Sequence, residues 1–302
     1  MKFEIYKGAN IVMPAIGESI LSDTGNTYQV ICIVNVGKNG AVFLVKDSDT
    51  TKTYALKIQY NLLARRINRF NREVEFLKAQ KKSWLLSYHD SGTIVFSGAR
   101  YPFVVTPYYA YNLEEYLIVA DVPYEQKIGM ACSLLMALSY LGNMNLVHRD
   151  IKPQNILTDG NHIVLADFGL IKRVSEFCDT NERNDILSAS ASMPRHFRTP
   201  ELVSYAKGEI DAVTIESDVF QTGLVLSWLF TGKNPLVSSE DKYSAIVMED
   251  IPHIETACGE ELRNIICSML CLKSSERITA VDSLQGFIQI YDRLTCLQKE
   301  IA

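Results

Sequence analysis

Several features are scarce in this sequence, and each scarcity removes a class of protein. It has no CxxC pair: its seven cysteines (Cys32, Cys132, Cys178, Cys258, Cys267, Cys271 and Cys296) are scattered over 302 residues. That argues against a disulfide framework or a zinc ribbon. Cys267 and Cys271 stand four apart on an expected helix and can share one face, but no nearby cysteine or histidine completes a metal set. There is no excess of positive charge. Thirty Lys and Arg against 35 Asp and Glu leave a net charge of −5, so nothing in the balance points to nucleic acid or an acidic lipid surface. Long apolar runs are also missing. The most apolar stretch, residues 219–230, is broken by Gln221, Thr222 and Ser227 and is too short to span a bilayer. Residues 1–10 carry Lys2, Glu4 and Lys7 among their apolar neighbours, unlike a signal peptide. Repeats, low-complexity tracts and long linkers are absent. The expectation is a cytoplasmic protein in a reducing compartment, with neither a membrane nor a nucleic acid as partner.

What is present is a substantial apolar content, 47% of residues, arranged in two styles. The first hundred residues alternate and favour β-branched types: residues 28–34, 41–45, 53–58, 93–96 and 102–106 read as strands. One helical segment interrupts them at 62–79, with Ile67, Phe70, Val74 and Leu77 at helical spacing. From Tyr111 onward the pattern turns helical. Helices are expected over 124–141, 219–230, 243–248, 260–270 and 280–294, and the apolar character of 219–230 marks a helix buried inside a larger body. A small sheet-rich part therefore precedes a larger helical part, with the junction near residues 108–112. The fold class read from this is α+β: two lobes, a small antiparallel sheet with one main helix, then a larger, mostly helical lobe.

The strongest local signal is His148-Arg149-Asp150-Ile151-Lys152-Pro153-Gln154-Asn155, followed by Asp167-Phe168-Gly169. It resembles the catalytic loop and metal-binding motif of the eukaryotic-type (Hanks-type) protein kinase domain. The resemblance covers roughly residues 28–294. It implies ATP as co-substrate with Mg2+ (or Mn2+), and protein hydroxyls as acceptors. The chemistry suits the residue types, because phosphoryl transfer needs an aligned hydroxyl and stabilised negative charge more than covalent help. Asp150 can orient or accept the hydroxyl proton, and Lys152 can reach the γ-phosphate. Asn155 and Asp167 offer hard oxygens of the kind magnesium prefers. Residues 156–165 read as a hairpin turning at Asp159-Gly160-Asn161 that brings Asp167 back toward Asn155.

Carried over residue by residue, the resemblance gives Lys57 to the α- and β-phosphates and pairs it with Glu73, sixteen residues on; Glu75 is the rival, disfavoured by helical geometry. Gly37, Gly40 and Val42 fall in the glycine-rich loop pattern. Asn35 replaces its first glycine, which implies a looser phosphate grip, although asparagine tolerates left-handed geometry better than most residues and so is compatible with the turn. Val36 and Ala55 join the expected ATP-binding set. So do Thr106 as gatekeeper and the backbone of Pro107 and Tyr109 as hinge. Phe168 and His148 are expected to stack in an apolar column with Leu77, Gly169 completes the metal motif, and Asp218 is expected to hold the His148–Arg149 turn. Thr199-Pro200-Glu201 resembles the family's APE box, with Arg277 as the partner of Glu201.

Lys152 within Asp-Ile-Lys-Pro resembles the serine/threonine branch. Pro194 departs from it, standing where that branch has a substrate-loop threonine unless an insertion lets Ser192 serve. Arg149 before the catalytic aspartate implies control by activation-loop phosphorylation, with Ser190 first among the candidates, then Ser188, Ser192 and Thr180. Arg65, Arg69 and Arg72 share a helical face that can contribute to holding such a phosphate. The reading is a serine/threonine protein kinase, residues 28–302 (lobes 28–107 and 108–302), preceded by an extension, 1–27, packed on the first lobe. Two alternatives stand beside it. One is a small-molecule kinase, which lacks Lys152-Pro153 and the Glu201 and Arg277 features. The other is a nucleotide-binding pseudokinase scaffold, supported by Asn35 and Pro194.

Overall fold

The computed structural model describes residues 3–6, 11–177, 196–239, 241 and 243–301, with backbone only before residue 13 and after residue 295. The chain divides into two compact units, one ending at Ala110 and the other beginning at Tyr111. Among the described residues, no helix is long and apolar enough to cross a membrane.

In the first unit, β1 (Phe3–Tyr6) and β2 (Ile11–Pro14) form a two-stranded antiparallel sheet. The main sheet is antiparallel and six-stranded, built from β3 (Ser19–Leu21), β4 (Thr27–Val36), β5 (Gly40–Asp47), β6 (Thr53–Gln59), β7 (Asp90–Phe96) and β8 (Ala99–Pro107). The strand order is β3-β4-β5-β6-β8-β7. Period-two alternation sorts the side chains. Ala41, Phe43 and Val45 of β5 and Leu56 and Ile58 of β6 enter a core with Tyr28, Val30, Ile94, Phe103 and Val105. Their neighbours Val42, Leu44, Ala55 and Lys57 point to the other face and are half-buried. Strand β4 carries two irregularities, between Val30 and Cys32 and between Ile33 and Asn35, and each inserts a residue that shifts the alternation. Helix α1 (Ala64–Ala79) turns Phe70, Glu73 and Leu77 inward.

The second unit opens with β9 (Tyr111–Asn112) and α2 (Leu113–Val119), a helix the sequence reading did not isolate. Its start is a capping box: the Asn112 side chain accepts from the Glu115 amide while the Glu115 carboxylate accepts from the Asn112 amide. Helix α3 (Tyr124–Asn143) follows, then β10 (Leu146–Val147), β11 (Ile156–Thr158), β12 (Ile163–Leu165) and β13 (Lys172–Arg173). The later helices are α4 (Pro200–Lys207), α5 (Ile215–Thr231), α6 (Gly259–Met269) and α7 (Ala280–Ile301). Helix α5 has nearly every side chain buried, and α7 packs its Phe287, Ile290 and Leu294 face inward.

One expected helix is absent. Residues 243–248 are irregular, ending in a bridge between Leu236 and Met248. Local side-chain bonds displace the helix: Asp241 Oδ1 accepts from the Tyr243 amide at 3.0 Å, and Ser244 Oγ donates to the Asp241 carbonyl at 2.9 Å.

Candidate active site

The first unit contributes a lysine and a glycine turn on one strand pair. Lys57 sits in β6, and Glu73 lies on the buried stripe of α1 with Phe70 and Leu77. Lys57 Nζ donates to both Glu73 carboxylate oxygens at 2.9 Å. Glu75 is exposed. Val42 pairs with Lys57, Leu44 with Ala55, and Ala55 with Thr106, so Val42, Ala55, Lys57 and the buried Thr106 share one sheet face. Pro107 closes β8 opposite Tyr54, and Tyr109 follows it in the connection to the second unit.

Two expectations for this turn need correction. Val36 pairs with Ala41 and packs on the core cluster, so it lies on the face opposite Val42 and Lys57 and leaves the ATP-binding set. The two extra residues of β4 cancel, so Val36 keeps the inward parity of Tyr28 and Val30. Asn35 itself is a strand residue paired with Val42, and it is not among the residues of positive φ. It supplies no left-handed turn. The tight spot is Gly40, where a Cβ would come 2.5 Å from the Ile58 carbonyl oxygen.

The second unit holds the loop of residues 148–155 between two short pairings. Strand β10 pairs with β13 antiparallel, Val147 opposite Lys172, which places His148 and the segment after Gly169 beside each other. The β11–β12 hairpin turns on Asp159, whose Oδ1 accepts from the Asn161 and His162 amides, with Gly160 at φ 95°. The Ala166 amide then donates to the Asn155 carbonyl at 2.8 Å.

Asp150 is the centre of this arrangement. Lys152 Nζ donates to its Oδ2 at 2.8 Å, and Asn155 Nδ2 donates to the same oxygen at 2.9 Å and to the Asp150 carbonyl at 2.8 Å. Burial pushes the Asp150 pKa up to about 6; Lys152 opposes that rise and the neighbouring Asp167 adds to it. With its amide nitrogen committed to Asp150, the Asn155 side chain keeps its oxygen for a different partner. Asp167 adopts φ 61° and ψ 67°, a sparsely populated conformation for a non-glycine residue, and leads directly into a 3-10 turn, Phe168–Leu170, that contains Gly169. One carboxylate and one amide oxygen are a donor set that fits a hard cation. Among the described residues no cluster of three acidic, cysteine or histidine groups forms a complete cage. Such a two-donor site suits an ion that arrives with phosphate oxygens as further ligands.

The loop is braced from behind. Asp218 of α5, fully buried, accepts from the His148 amide at 2.6 Å and the Arg149 amide at 2.8 Å. Burial raises its pKa to about 7 against the pull of those two amides. Arg149 needs that support because it too has positive φ, 69°. Three residues along the same helix, Gln221 Oε1 accepts from the Ile151 amide at 2.8 Å while its Nε2 donates to the Phe197 carbonyl at 2.9 Å. Gln221 thus joins the catalytic loop to the segment ahead of Thr199. In the sequence Gln221 is only a polar break in an apolar helix; its spacing from Asp218 is the one signal of this role. His148 is buried, with its pKa lowered to about 4 by desolvation, so the ring is neutral. Nδ1 accepts from the Asp150 amide and Nε2 therefore donates to the Ala166 carbonyl at 3.1 Å. Its ring meets Phe168 edge-on, centroids 5.2 Å apart.

Glu201 follows Pro200 at the start of α4, where Thr199 caps the helix by accepting from the Leu202 amide. Arg277 Nη2 donates to Glu201 Oε1 at 2.8 Å, with the Arg277 side chain fully buried. Arg149 Nε donates to the Leu170 carbonyl at 2.8 Å, and its guanidinium lies 5.2 Å from the Phe177 ring centre. The phosphosite candidates Thr180, Ser188, Ser190 and Ser192, and also Pro194, lie outside the described residues.

A model of the protein kinase domain matches residues 28–287, and the chain belongs to that family. It is similar to Protein kinase 3 of Dictyostelium discoideum, 25% identical over 295 residues that cover 90% of this chain and 30% of that protein. It is also similar to Mitogen-activated protein kinase kinase 8 of Arabidopsis thaliana, 27% identical, covering 89% of this chain and 86% of the relative. A third similarity is to the Arabidopsis thaliana Serine/threonine-protein kinase AtPK2/AtPK19, 24% identical, covering 83% of this chain and 51% of the relative. The chain spans less than a third of the first of these proteins and about half of the third.

Proposed function

We propose that this chain is an ATP-dependent serine/threonine protein kinase that transfers the γ-phosphoryl group of ATP to protein hydroxyls. The observation that carries the reading is Asp150, buried and fixed by Lys152 and Asn155, on a loop whose backbone Asp218 and Gln221 hold. A carboxylate so held accepts a hydrogen bond from an incoming hydroxyl and takes its proton as the phosphoryl group departs. Lys152 keeps positive charge at that point. Lys57, oriented by Glu73, serves the α- and β-phosphates. Asn155 and Asp167 would hold magnesium (or manganese), which when bound with the nucleotide neutralises charge on the phosphate oxygens. The serine/threonine assignment is supported by Lys152-Pro153 and by the printed name of one relative.

In this reading the catalytic domain is residues 28–302, with lobes 28–107 and 108–302, and residues 1–27 extend the first lobe. Phosphorylation at Ser190, or at Ser188, Ser192 or Thr180, regulates it, with Arg149 among the groups that receive the phosphate. Proteins are the acceptors, and nucleic acid and membrane are not partners. The free thiols Cys32, Cys132, Cys258, Cys267 and Cys271 suit a reducing compartment such as the cytoplasm. The scaffold alternative rests on Asn35 and Pro194 alone. The test is incubation of purified protein with Mg-ATP and a generic basic protein, with Asp150→Ala in parallel and phosphosites mapped. Phosphoserine or phosphothreonine that the variant does not produce is the expected result. Equal signal from both proteins would sink the proposal.

A further inference from the structure

The turn of residues 37–40 is tied to the segment that leaves β6, by contacts that the glycine pattern does not require. The Gly37 amide donates to the Gly40 carbonyl at 2.9 Å and closes the turn. The Asn39 carbonyl at its tip accepts from two consecutive amides, Tyr60 at 3.1 Å and Asn61 at 3.0 Å. Asn61 Nδ2 donates to Asn39 Oδ1 at 3.2 Å, and Tyr60 Oη donates to the Gly37 carbonyl. The gripping segment is itself held, because Gln59, a buried residue, donates from Nε2 to the Asn61 carbonyl at 2.7 Å. The Tyr60 ring packs against the core cluster, so the hydroxyl is presented from an anchored base. Burial raises the Tyr60 pKa, which keeps the phenol protonated and able to donate.

Lys57 stands only three residues before Tyr60 in the chain, on the strand that pairs with the turn's outgoing arm, Val42 opposite Lys57. Turn and lysine are therefore joined through one continuous set of strand and turn hydrogen bonds. We propose that Tyr60, with Asn61, is a positioning residue for nucleotide: it holds the turn of residues 37–40 in a fixed relation to Lys57, so that the turn meets the ATP phosphates already ordered. The proposal rests on the ATP-dependent reading above, and it reverses the expectation that Asn35 loosens the phosphate grip. A turn ordered beforehand loses less conformational freedom when ligand binds, and that gain attaches to phosphate contacts rather than to the base.

The experiment measures equilibrium binding of Mg-ATP and of adenosine by calorimetry, and in parallel steady-state kinetics, for wild type, Tyr60→Phe and Asn61→Ala. Tyr60→Phe keeps the packed ring and removes only the hydroxyl. The expected result for Tyr60→Phe is a rise of about 5- to 20-fold in both the Kd and the KM for ATP. The Kd for adenosine, the KM for the protein acceptor and the thermal midpoint should stay unchanged, and kcat should stay within about twofold. Asn61→Ala should shift ATP binding in the same direction. Overturning results are an ATP Kd within about twofold of wild type in Tyr60→Phe, or an equal loss of adenosine and ATP binding, which would mark a general structural role. If wild type binds ATP but does not turn over, the kinase reading fails while the binding comparison still decides the role of Tyr60. If wild type binds no ATP, both fail.

Discussion

Lys57 meets both carboxylate oxygens of Glu73 at 2.9 Å, and the two partners differ sharply in exposure: 31% for the lysine side chain, 5% for the glutamate. Glu73 occupies the same inward stripe of α1 as Phe70 and Leu77. A carboxylate on an apolar stripe is costly unless paired, and the lysine is one partner that lets that acid sit there. In return, the buried acid fixes the lysine's reach from β6.

That asymmetry separates Glu73 from Glu75 experimentally. Glu73→Gln replaces a charged partner with a neutral one and should lower kcat/KM for ATP by about 10- to 100-fold, since hydrogen bonds to charged groups contribute about 1.5–3 kcal/mol. Glu75→Gln, on the exposed side of the helix, should leave the same parameter within about twofold. Steady-state ATP titrations on both variants check this, and equal losses would refute the pairing argument.

A second prediction concerns acid stability of the first unit. Asp90 is buried and accepts from Thr24 Oγ1, Asn26 Nδ2 and Tyr28 Oη at 2.8–2.9 Å, and from the Ser91 amide. Burial raises its pKa, but hydrogen bonds from Ser22, Asn26 and Thr24 outweigh that and hold it below the ordinary value of 3.8. A carboxyl whose folded pKa is depressed adds stability that is complete above its unfolded pKa and lost as pH falls through the folded one. Wild type minus Asp90→Asn should therefore be constant, about 1–3 kcal/mol, from pH 7 down to about 5, and shrink below about 4. Denaturant melts across that range measure it, and a difference that grows with acid would contradict the assignment.

The sequence made the site legible where chemistry sits in one contiguous run, and less so where packing alone decides. His148 to Asn155 and Asp167 to Gly169 are read directly, and the structure gathers Asp150, Lys152 and Asn155 within hydrogen-bonding distance. The two-part α+β architecture follows from a change in hydrophobic period near residue 110. Val36 lies inward because the two inserted residues of β4 cancel and restore the alternation set by Tyr28 and Val30, a register that the glycine-loop pattern does not encode. Residues 243–248 have helical composition, but Asp241 and Ser244 offer the backbone nearer partners. Helix α4 had its signals in plain view: Thr199 at the cap, Pro200 in the first turn, and Gly208 closing it in left-handed geometry. The same residues carry the Thr199-Pro200-Glu201 motif, which masks them as helix ends.

Gln221 gives the third prediction, because it was found only in the structure. Gln221→Leu preserves volume but leaves the Ile151 amide and the Phe197 carbonyl without their partner. Stranding buried polar groups costs about 1–3 kcal/mol each. The loop of residues 148–155 should shift more than strand β6, so kcat should fall about 10-fold or more while the KM for ATP stays within about twofold. A change confined to KM for ATP would mean that Gln221 does not act through the loop.

The Glu201–Arg277 pair yields the fourth prediction, on which partner matters more. Arg277 donates to Glu201 Oε1 and also to the carbonyls of Cys271, Glu216 and Leu272, and its guanidinium lies 5.0 Å from the Phe220 ring centre. Among the described residues Glu201 uses one oxygen; its buried Oε2 has no hydrogen-bond partner there. The arginine is thus the hub and the glutamate one of its spokes. Arg277→Ala strands a buried carboxylate and three carbonyls and should cost about 3–5 kcal/mol. Glu201→Gln retains the oxygen that accepts from Arg277, so its cost should stay near about 1 kcal/mol. Glu201→Leu combined with Arg277→Met removes both charges at once and should be milder than Arg277→Ala alone, because no charge remains buried without its partner. Chemical denaturation of the three variants gives the order directly. If Glu201→Gln proved as damaging as Arg277→Ala, the carboxylate charge rather than the arginine's carbonyl contacts would be what holds this corner together.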